Sequence, residues 1–422
     1  MSRPRTKVSY VTIRRNRPFL RYWLGNGVSQ FGDQVSALAL PFMAATMLDA
    51  SPVQVGTLTA AVWAPNLLSL FLGTWVDQHR HHQGLLIVAN LSQSLAVAAV
   101  PLALLVGHLS LPVLYAVALV LGAGGTLYDT SYPGFFARLV PKRQYVAANS
   151  LLSTTQSTSN LAGPALGGAL IQVLSAPVAM VVDAASFLFS ATMTRTVRLD
   201  DETTTGAHGA PEPFLRRLRL GATYLTRHQY LRASLGCSIG MNFAAFIVQA
   251  LLVLYATRDL NLGAGQLGLA LGIGAIGGLL GAATASRIAR RIGTGPTIIV
   301  GAVLYCIPFA GLALANSQAT AAAAMIALAS VELVSGFGIM LFDINNNAVR
   351  TAVTRDDMRS RVSGAYSTVN YGIRPLGALA GGFLAAEIGI PATFVLASIL
   401  GSLSVVWLIT APVIRIRAVN DL

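Results

Sequence analysis

The chain is poor in charge. Asp, Glu, Lys and Arg make up 11% of its 422 residues, against roughly 25% for an ordinary soluble domain. Hydrophobic residues make up 54%, and a mean hydropathy of +0.63 excludes a soluble, secreted, fibrous or disordered chain. Cysteine is nearly absent: Cys237 and Cys306 both lie in apolar runs, which excludes a disulfide framework and a cysteine metal site. The sequence lacks C-x-x-C, H-E-x-x-H and G-x-S-x-G. Its two lysines, Lys7 and Lys142, supply no Gly-Lys-Ser/Thr phosphate loop, so ATP hydrolysis by that route is excluded. No nucleophile, base and orienting group occur at matched depth, so an enzyme is not expected, and no metal or cofactor is implied. The His79, His81 and His82 cluster, interrupted by Arg80, reads as a solvated basic loop.

What is present is length in apolar runs. They fall at about 19–47, 53–76, 84–106, 111–131, 146–174 and 176–195, then at 229–256, 264–287, 294–315, 319–344, 360–386 and 391–414. At 1.5 Å per helical residue each crosses roughly 30 Å of hydrocarbon. The pattern predicts an all-α membrane protein of twelve transmembrane helices in two six-helix bundles. The domains are then 1–195, a cytoplasmic linker at 196–228, and 229–422. The linker shifts to Asp200, Asp201 and Glu202 beside three threonines. It then gives a short amphipathic helix, with Phe214, Leu215, Leu218 and Leu225 on one face and Arg216, Arg217, Arg219 and Arg227 around it. That helix either lies at the membrane interface or caps the next span.

The net charge of +13 is a matter of topology. Of 29 basic residues, all but Arg258 and Arg374 fall on one side, in the tails, in the even-to-odd connections or at the span ends beside them. By the positive-inside rule both termini are cytoplasmic, and nucleic acid is an unnecessary partner. The first apolar run continues through a full span without an A-x-A pattern, so a cleaved leader is not expected. The location implied is the inner (plasma) membrane, and a monomer is expected because each bundle buries the other.

The second half repeats the first. At an offset of 214, Leu127-Tyr128-Asp129 falls on Leu341-Phe342-Asp343, and Gly167-Gly168 on Gly381-Gly382. At an offset of 211, Phe19-Leu20-Arg21 falls on Tyr230-Leu231-Arg232. Spans 1, 4 and 5 thus map onto 7, 10 and 11, a parallel duplication about an axis along the membrane normal.

Three motifs carry a family resemblance. After the second span, Gly73-Thr74-Trp75-Val76-Asp77-Gln78-His79-Arg80 resembles the G-x-x-x-D-R-x-x-R loop of the major facilitator superfamily. Gln78 stands where arginine is usual, and Arg80 is available in its place. A carboxylate there can face the positive N-terminus of another helix, here the eleventh, with Arg359 and Arg361. The resemblance implies a gate of Gly73, Asp77, Arg80, Asp129, Asp343, Arg359 and Arg361, with Asp129 and Asp343 meeting Arg80 and Arg287 or Arg290. In the fifth span Gly163-Pro164-Ala165-Leu166-Gly167-Gly168 resembles the GPxxGG signature of that superfamily's antiporters. Glycines let helices approach and Pro164 bends the helix. Ser29-Gln30-Phe31-Gly32-Asp33, Ala37-Leu38-Ala39-Leu40-Pro41 and Val181-Val182-Asp183-Ala184-Ala185-Ser186-Phe187 resemble the drug:proton antiporter-3 branch, which includes macrolide-efflux proteins and the enterobactin exporter. The implied function is efflux of amphipathic small molecules, drugs and antibiotics among them, in exchange for protons. Siderophore or lipid export and a non-transporting sensor are the alternatives.

Charges inside spans are costly and mark pathways or paired contacts. Asp33 lies about 21 Å into the first helix and is expected to couple protons, together with Glu332 and Arg374. An ion pair of Arg374 with Asp33 or with Glu332 is the expected contact. Asp183, on a peripheral helix of such a fold, is read as structural. Trp63, Asn66, Tyr128, Tyr132, Asn242, Phe246, Asn346, Asn370 and Tyr371 are the expected substrate contacts, because aromatic and amide groups in an apolar cavity suit a bulky amphipathic ligand.

Overall fold

The computed structural model describes residues 13, 16–79, 81–198, 214–314 and 320–418. Helix dominates, and among the described residues there is no strand. In chain order the helices are α1 (Arg17–Thr46), α2 (Pro52–Trp63), α3 (Ser69–Asp77), α4 (His82–Leu105), α5 (Leu111–Leu139), α6 (Tyr145–Leu174), α7 (Ala176–Arg195) and α8 (Phe214–Arg227). They continue as α9 (Gln229–Arg258), α10 (Ala264–Ile292), α11 (Thr294–Cys306), α12 (Phe309–Leu312), α13 (Ala321–Val353), α14 (Arg359–Ile388), α15 (Ile390–Leu403) and α16 (Val406–Ile409).

Local chemistry explains the boundaries. Asn16 caps α1 by accepting from the Phe19 amide at 3.1 Å. Ser51 and Gln54 form a capping box at α2, with Pro52 in the first turn, where its missing N–H costs nothing. The run 53–76, expected as one span, is two helices joined by a 3-10 segment, Ala64–Leu68. Pro65 in that segment has no N–H to give and clashes with the carbonyl four residues back. Pro308 divides α11 from α12 in the same way.

Eight described helical stretches are long and apolar enough to cross a membrane: 82–105, 111–139, 176–195, 229–258, 264–292, 294–312, 321–353 and 390–409. The remaining long helices, α1, α6 and α14, are 30 residues each but rich in polar or glycine positions. α6, for example, runs Ser153 to Asn160 with no apolar residue.

Helices α1 to α7 pack chiefly on one another, with α7 against α1 and α4, and α4 against α5. Helices α9 to α16 do likewise, with α13 against α10 and α11, and α9 against α14 and α15. The two sets meet where α2 crosses α14 and α6 crosses α10. Glycine makes both crossings. A Cβ on Gly56 would lie 2.6 Å from the Ala378 carbonyl, and one on Gly382 2.8 Å from that of Pro52. On the other seam, Cβ atoms on Gly168 and Gly268 would collide with the Ala264 and Pro164 carbonyls. Gly168 and Gly382 are the residues that coincide in the repeat. Both crossings sit toward one end of the bundle. There Arg258, at the end of α9, also donates to the Ala45 carbonyl at 2.9 Å and pairs with Asp49 at 3.4 Å.

The amphipathic helix α8 packs on α14: Leu225 is buried with Leu231, Val362, Ala365 and Tyr366. It caps the second set of helices.

Candidate functional site

Helix α1 carries polar residues at Asn26, Ser29, Gln30, Asp33 and Ser36, a three-to-four spacing that lines up one face. That face looks into a cavity of about 470 Å³ bounded by α1, α2, α4, α5, α6 and α7. Its wall includes Asp33, Asp129, Trp63, Asn66, Asn90, Gln93, Thr126, Tyr128 and Gln156. Both carboxyl-bearing residues are open to this cavity, and among the described residues its wall holds no basic one. Tyr128 is held in place by donating to Asn26 Oδ1 at 2.9 Å and by sharing a 2.8 Å hydroxyl bond with Tyr22.

A second space of about 390 Å³ shares Gln34, Ser36, Val62 and Trp63 and continues to Pro164, Gln249, Leu252 and Leu271. It is mostly apolar and runs between the two sets of helices. A third, of about 320 Å³, lies wholly in the second set and is polar: Ser238, Asn242, Asp343, Asn346, Asn347, Arg350, Tyr366, Asn370 and Tyr371 line it. Asn242 donates to Asn370 at 3.0 Å, Ser234 to Asn346 at 2.7 Å, and the Arg350 guanidinium lies 4.2 Å over the Tyr366 ring.

Arg374 stands between the first and third cavities. Its guanidinium carbon is 4.4 Å from the Trp63 ring, 4.3 Å from Tyr371 and 5.0 Å from Phe246, and its Nε donates to Asn242 at 3.3 Å. Trp63 and Phe246 meet edge to face at 5.1 Å. The cage joins α2 of the first set to α9 and α14 of the second. The ion pair expected for Arg374 is not there: among the described residues it pairs with neither Asp33 nor Glu332, because the aromatic faces occupy the guanidinium instead. Glu332 packs against Gly274 of α10, where a Cβ on that glycine would lie 2.6 Å from the Glu332 Cβ. It lies off the walls of the three cavities.

Two of the acids expected at the gate face cavities. Asp129 and Asp343 lie on the walls of the first and third cavities, and neither makes an ion pair with Arg287 or Arg290 among the described residues. Arg359 pairs with its neighbour Asp356 at 2.9 Å, and Arg361 donates to the Met358 sulfur at 3.6 Å. Gly73 is on α3 with open space beside it. The Asp77 side chain and the whole of Arg80 lie outside the described residues.

Of the expected substrate contacts, Trp63, Asn66 and Tyr128 line the first cavity and Asn242, Asn346, Asn370 and Tyr371 the third. Phe246 is buried in the Arg374 cage. Tyr132 departs from the set: it stacks on Tyr22 and tilts against Phe136 in an aromatic cluster, because it falls one turn beyond Tyr128 on α5. Gly163 and Gly167 of α6 seat α1, whose Gln34 would meet a Cβ on either. Sequence reading missed Asn90, Gln93, Tyr366 and Arg350. The polar stripe of α1 is visible as a spacing; the partners on α4, α13 and α14 are single polar or charged residues in apolar or mixed runs.

Residues 22–378 match the model of the Major Facilitator Superfamily. The chain is 26% identical over 378 residues to the multidrug efflux pump Tap of Mycobacterium tuberculosis (strain ATCC 25618 / H37Rv), covering 86% of each chain, and equally so to that of Mycobacterium bovis (strain BCG / Pasteur 1173P2). Among solved structures, a bacterial homologue of the iron transporter ferroportin in its inward-facing state superposes with a TM-score of 0.71 at 19% identity, covering 93% of this chain and 98% of that one. The nucleoside transporter NupG superposes with a TM-score of 0.71 at 13% identity, over 93% and 98%. Family model, helical architecture and fold agree, and the chain belongs to the Major Facilitator Superfamily of membrane transporters.

Proposed function

We propose that this transporter exports amphipathic small molecules, drugs among them, in exchange for protons, alternating between inward-open and outward-open forms. In this reading twelve helices cross the inner membrane, six in each of the bundles 1–195 and 229–422, with the termini and the 196–228 linker in the cytoplasm. The observation that carries it is the first cavity, which holds Asp33 and Asp129 without a basic residue on its wall among the described residues. Such acids can trade a proton for a ligand in one place. The likeness to multidrug efflux pumps named Tap supports the substrate class. The glycine crossings Gly56–Gly382 and Gly168–Gly268 seal the end that the positive-inside rule puts outside, so this conformation is the inward-open one. Asp33 is the coupling acid, and Arg374 with its aromatic cage ties the two bundles across the substrate path.

The test uses the purified protein in liposomes loaded with a pH-sensitive dye, under an imposed proton gradient, with a panel of lipophilic drugs added. Drug-dependent proton flux in the wild type that Asp33→Asn abolishes is the expected result. Flux that persists in Asp33→Asn moves the coupling to Asp129, and no flux with any compound overturns the antiport reading.

A further inference from the structure

Asp183 sits on α7, packed against α1 and off the cavity wall, and it is completely buried. Its carboxyl meets two hydroxyls: Ser36 Oγ of α1 donates to Oδ2, and Ser186 Oγ donates to Oδ1 at 3.0 Å. Gly32 opens the space, since a Cβ there would collide with Asp183 Oδ1 and Ser186 Oγ. No cation reaches the group among the described residues. On α7 itself the nearest basic residue is Arg195, twelve positions and ~18 Å further along the helix. The packed helix α4 carries only His82 as a titratable residue, at its far end, and α6 only Tyr145. On α1 the titratable neighbour is Asp33, three residues before Ser36, and Asp129 of α5 lies across the cavity from it.

A structural carboxylate in the hydrocarbon core would be expected to carry an arginine or lysine. Two hydroxyls are a different kind of partner. A guanidinium can only donate, whereas a serine hydroxyl both donates and accepts. The same two serines therefore satisfy the ionised carboxylate and the neutral acid alike. Ser36 also lines the first and second cavities, so one hydroxyl separates the buried acid from the transport path.

We infer that Asp183 is a second proton-holding site, filled and emptied from the cavity through the Ser36 hydroxyl. In the filling step Ser36 passes its proton to Asp183 Oδ2 while its oxygen takes one from a hydronium in the cavity. The O–H bond broken is replaced by the one formed, and the hydronium is left as water. Emptying is the reverse. Paired with Asp33, this gives the first bundle a reserve site that ligand cannot touch, and it rests on the proton-coupled reading above.

The experiment is infrared difference spectroscopy of the full-length protein in lipid between acid and alkaline pH, with no ligand added. Wild type is expected to show a protonated-carboxyl stretch that Asp183→Asn removes and Asp33→Asn leaves. A spectrum unchanged by Asp183→Asn overturns the proposal. Ser36→Ala keeps the acid and removes the bridge, so exchange of that band on transfer to D2O should slow at least tenfold; exchange at the wild-type rate overturns the route. Should Asp183→Asn fail to fold, the Ser36→Ala exchange rate decides alone. The two readings fail separately: a band with proton-independent transport refutes antiport and keeps the site, while proton-driven transport without the band refutes the site.

Discussion

The two halves share a repeat but not an electrostatic plan. Among the described residues, the first cavity holds Asp33 and Asp129 with no basic residue on its wall, and Asp183 behind it has two hydroxyls as its partners. The third cavity holds Asp343 with Arg350 on the same wall and Arg374 beside it, both guanidinium groups lying on aromatic rings. Asp129 and Asp343 occupy the same place in the repeat, so the contrast lies in their surroundings. An acid without a cation can exchange its charge for a proton or a ligand. An acid with a guanidinium nearby has a counter-charge in its surroundings when it ionises. Duplication supplied the same acid twice, and the basic residues on α13 and α14 give the second copy different surroundings.

The sharpest way to break this comparison is to neutralise the repeat-equivalent acids one at a time. Asp129→Asn should reduce proton-driven dye efflux from vesicles by about tenfold and shift the pH dependence of the rate, because it removes the acid that shares a cavity with the coupling residue Asp33. Asp343→Asn should reduce it a few fold and leave the pH dependence in place. Equal losses, or a shifted profile only in Asp343→Asn, would mean the halves do not divide the work this way.

Next in size is the Arg374 cage. Three ring contacts of roughly 0.5–1 kcal/mol each, offset by the desolvation of a half-buried cation, make Arg374→Ala about 1–2 kcal/mol less stable. Thermal unfolding in detergent should drop by a few degrees, and Trp63, stripped of its cation, should change its emission. Arg374→Lys should recover only part of this, because an ammonium cannot stack flat on the rings. A melting temperature unchanged by Arg374→Ala would show that the cage adds nothing to the union of α2, α9 and α14.

Much of the fold was legible because hydropathy is loud where helices face lipid. It is weaker where they face each other or the cavity. The helices α1, α6 and α14 carry Asn26, Gln30, Asp33, the Ser153 to Asn160 run, and Asn370 with Arg374, and these residues lower the very signal by which a span is recognised. The repeat was readable as Gly-Gly and Asp matches, but its meaning was not, since a glycine reports a close approach without naming the helix that comes near. For the site, single polar residues gave depth and face. Partners did not follow: Arg374 was expected to seek a carboxylate, and rings from two other helices reached it first. Asp183 reads as structural from its place on a peripheral helix; its partner Ser36 is distant in sequence, and a lone serine in a span carries no signal.

The smallest effect tests the repeat at one backbone position. Ser175 joins α6 to α7 and Gly389 joins α14 to α15, and they coincide at the repeat offset of 214 that aligns the glycine pairs. Both have the same backbone shape, φ 74° and ψ 156° at Ser175 against φ 82° and ψ 158° at Gly389. That region is one that glycine reaches freely and a residue with a Cβ reaches only at about 1–3 kcal/mol. A Cβ at Gly389 would meet nothing within 4 Å, so space is not the constraint there; the dihedral is. Ser175→Gly should therefore stabilise the first bundle by about 1 kcal/mol, less the added freedom of the unfolded chain, and Gly389→Ser should destabilise the second by a similar amount. Thermal unfolding of the two variants should move in opposite directions while dye efflux stays unchanged. Shifts of the same sign would mean that the two connections, alike in shape, are held by different neighbours.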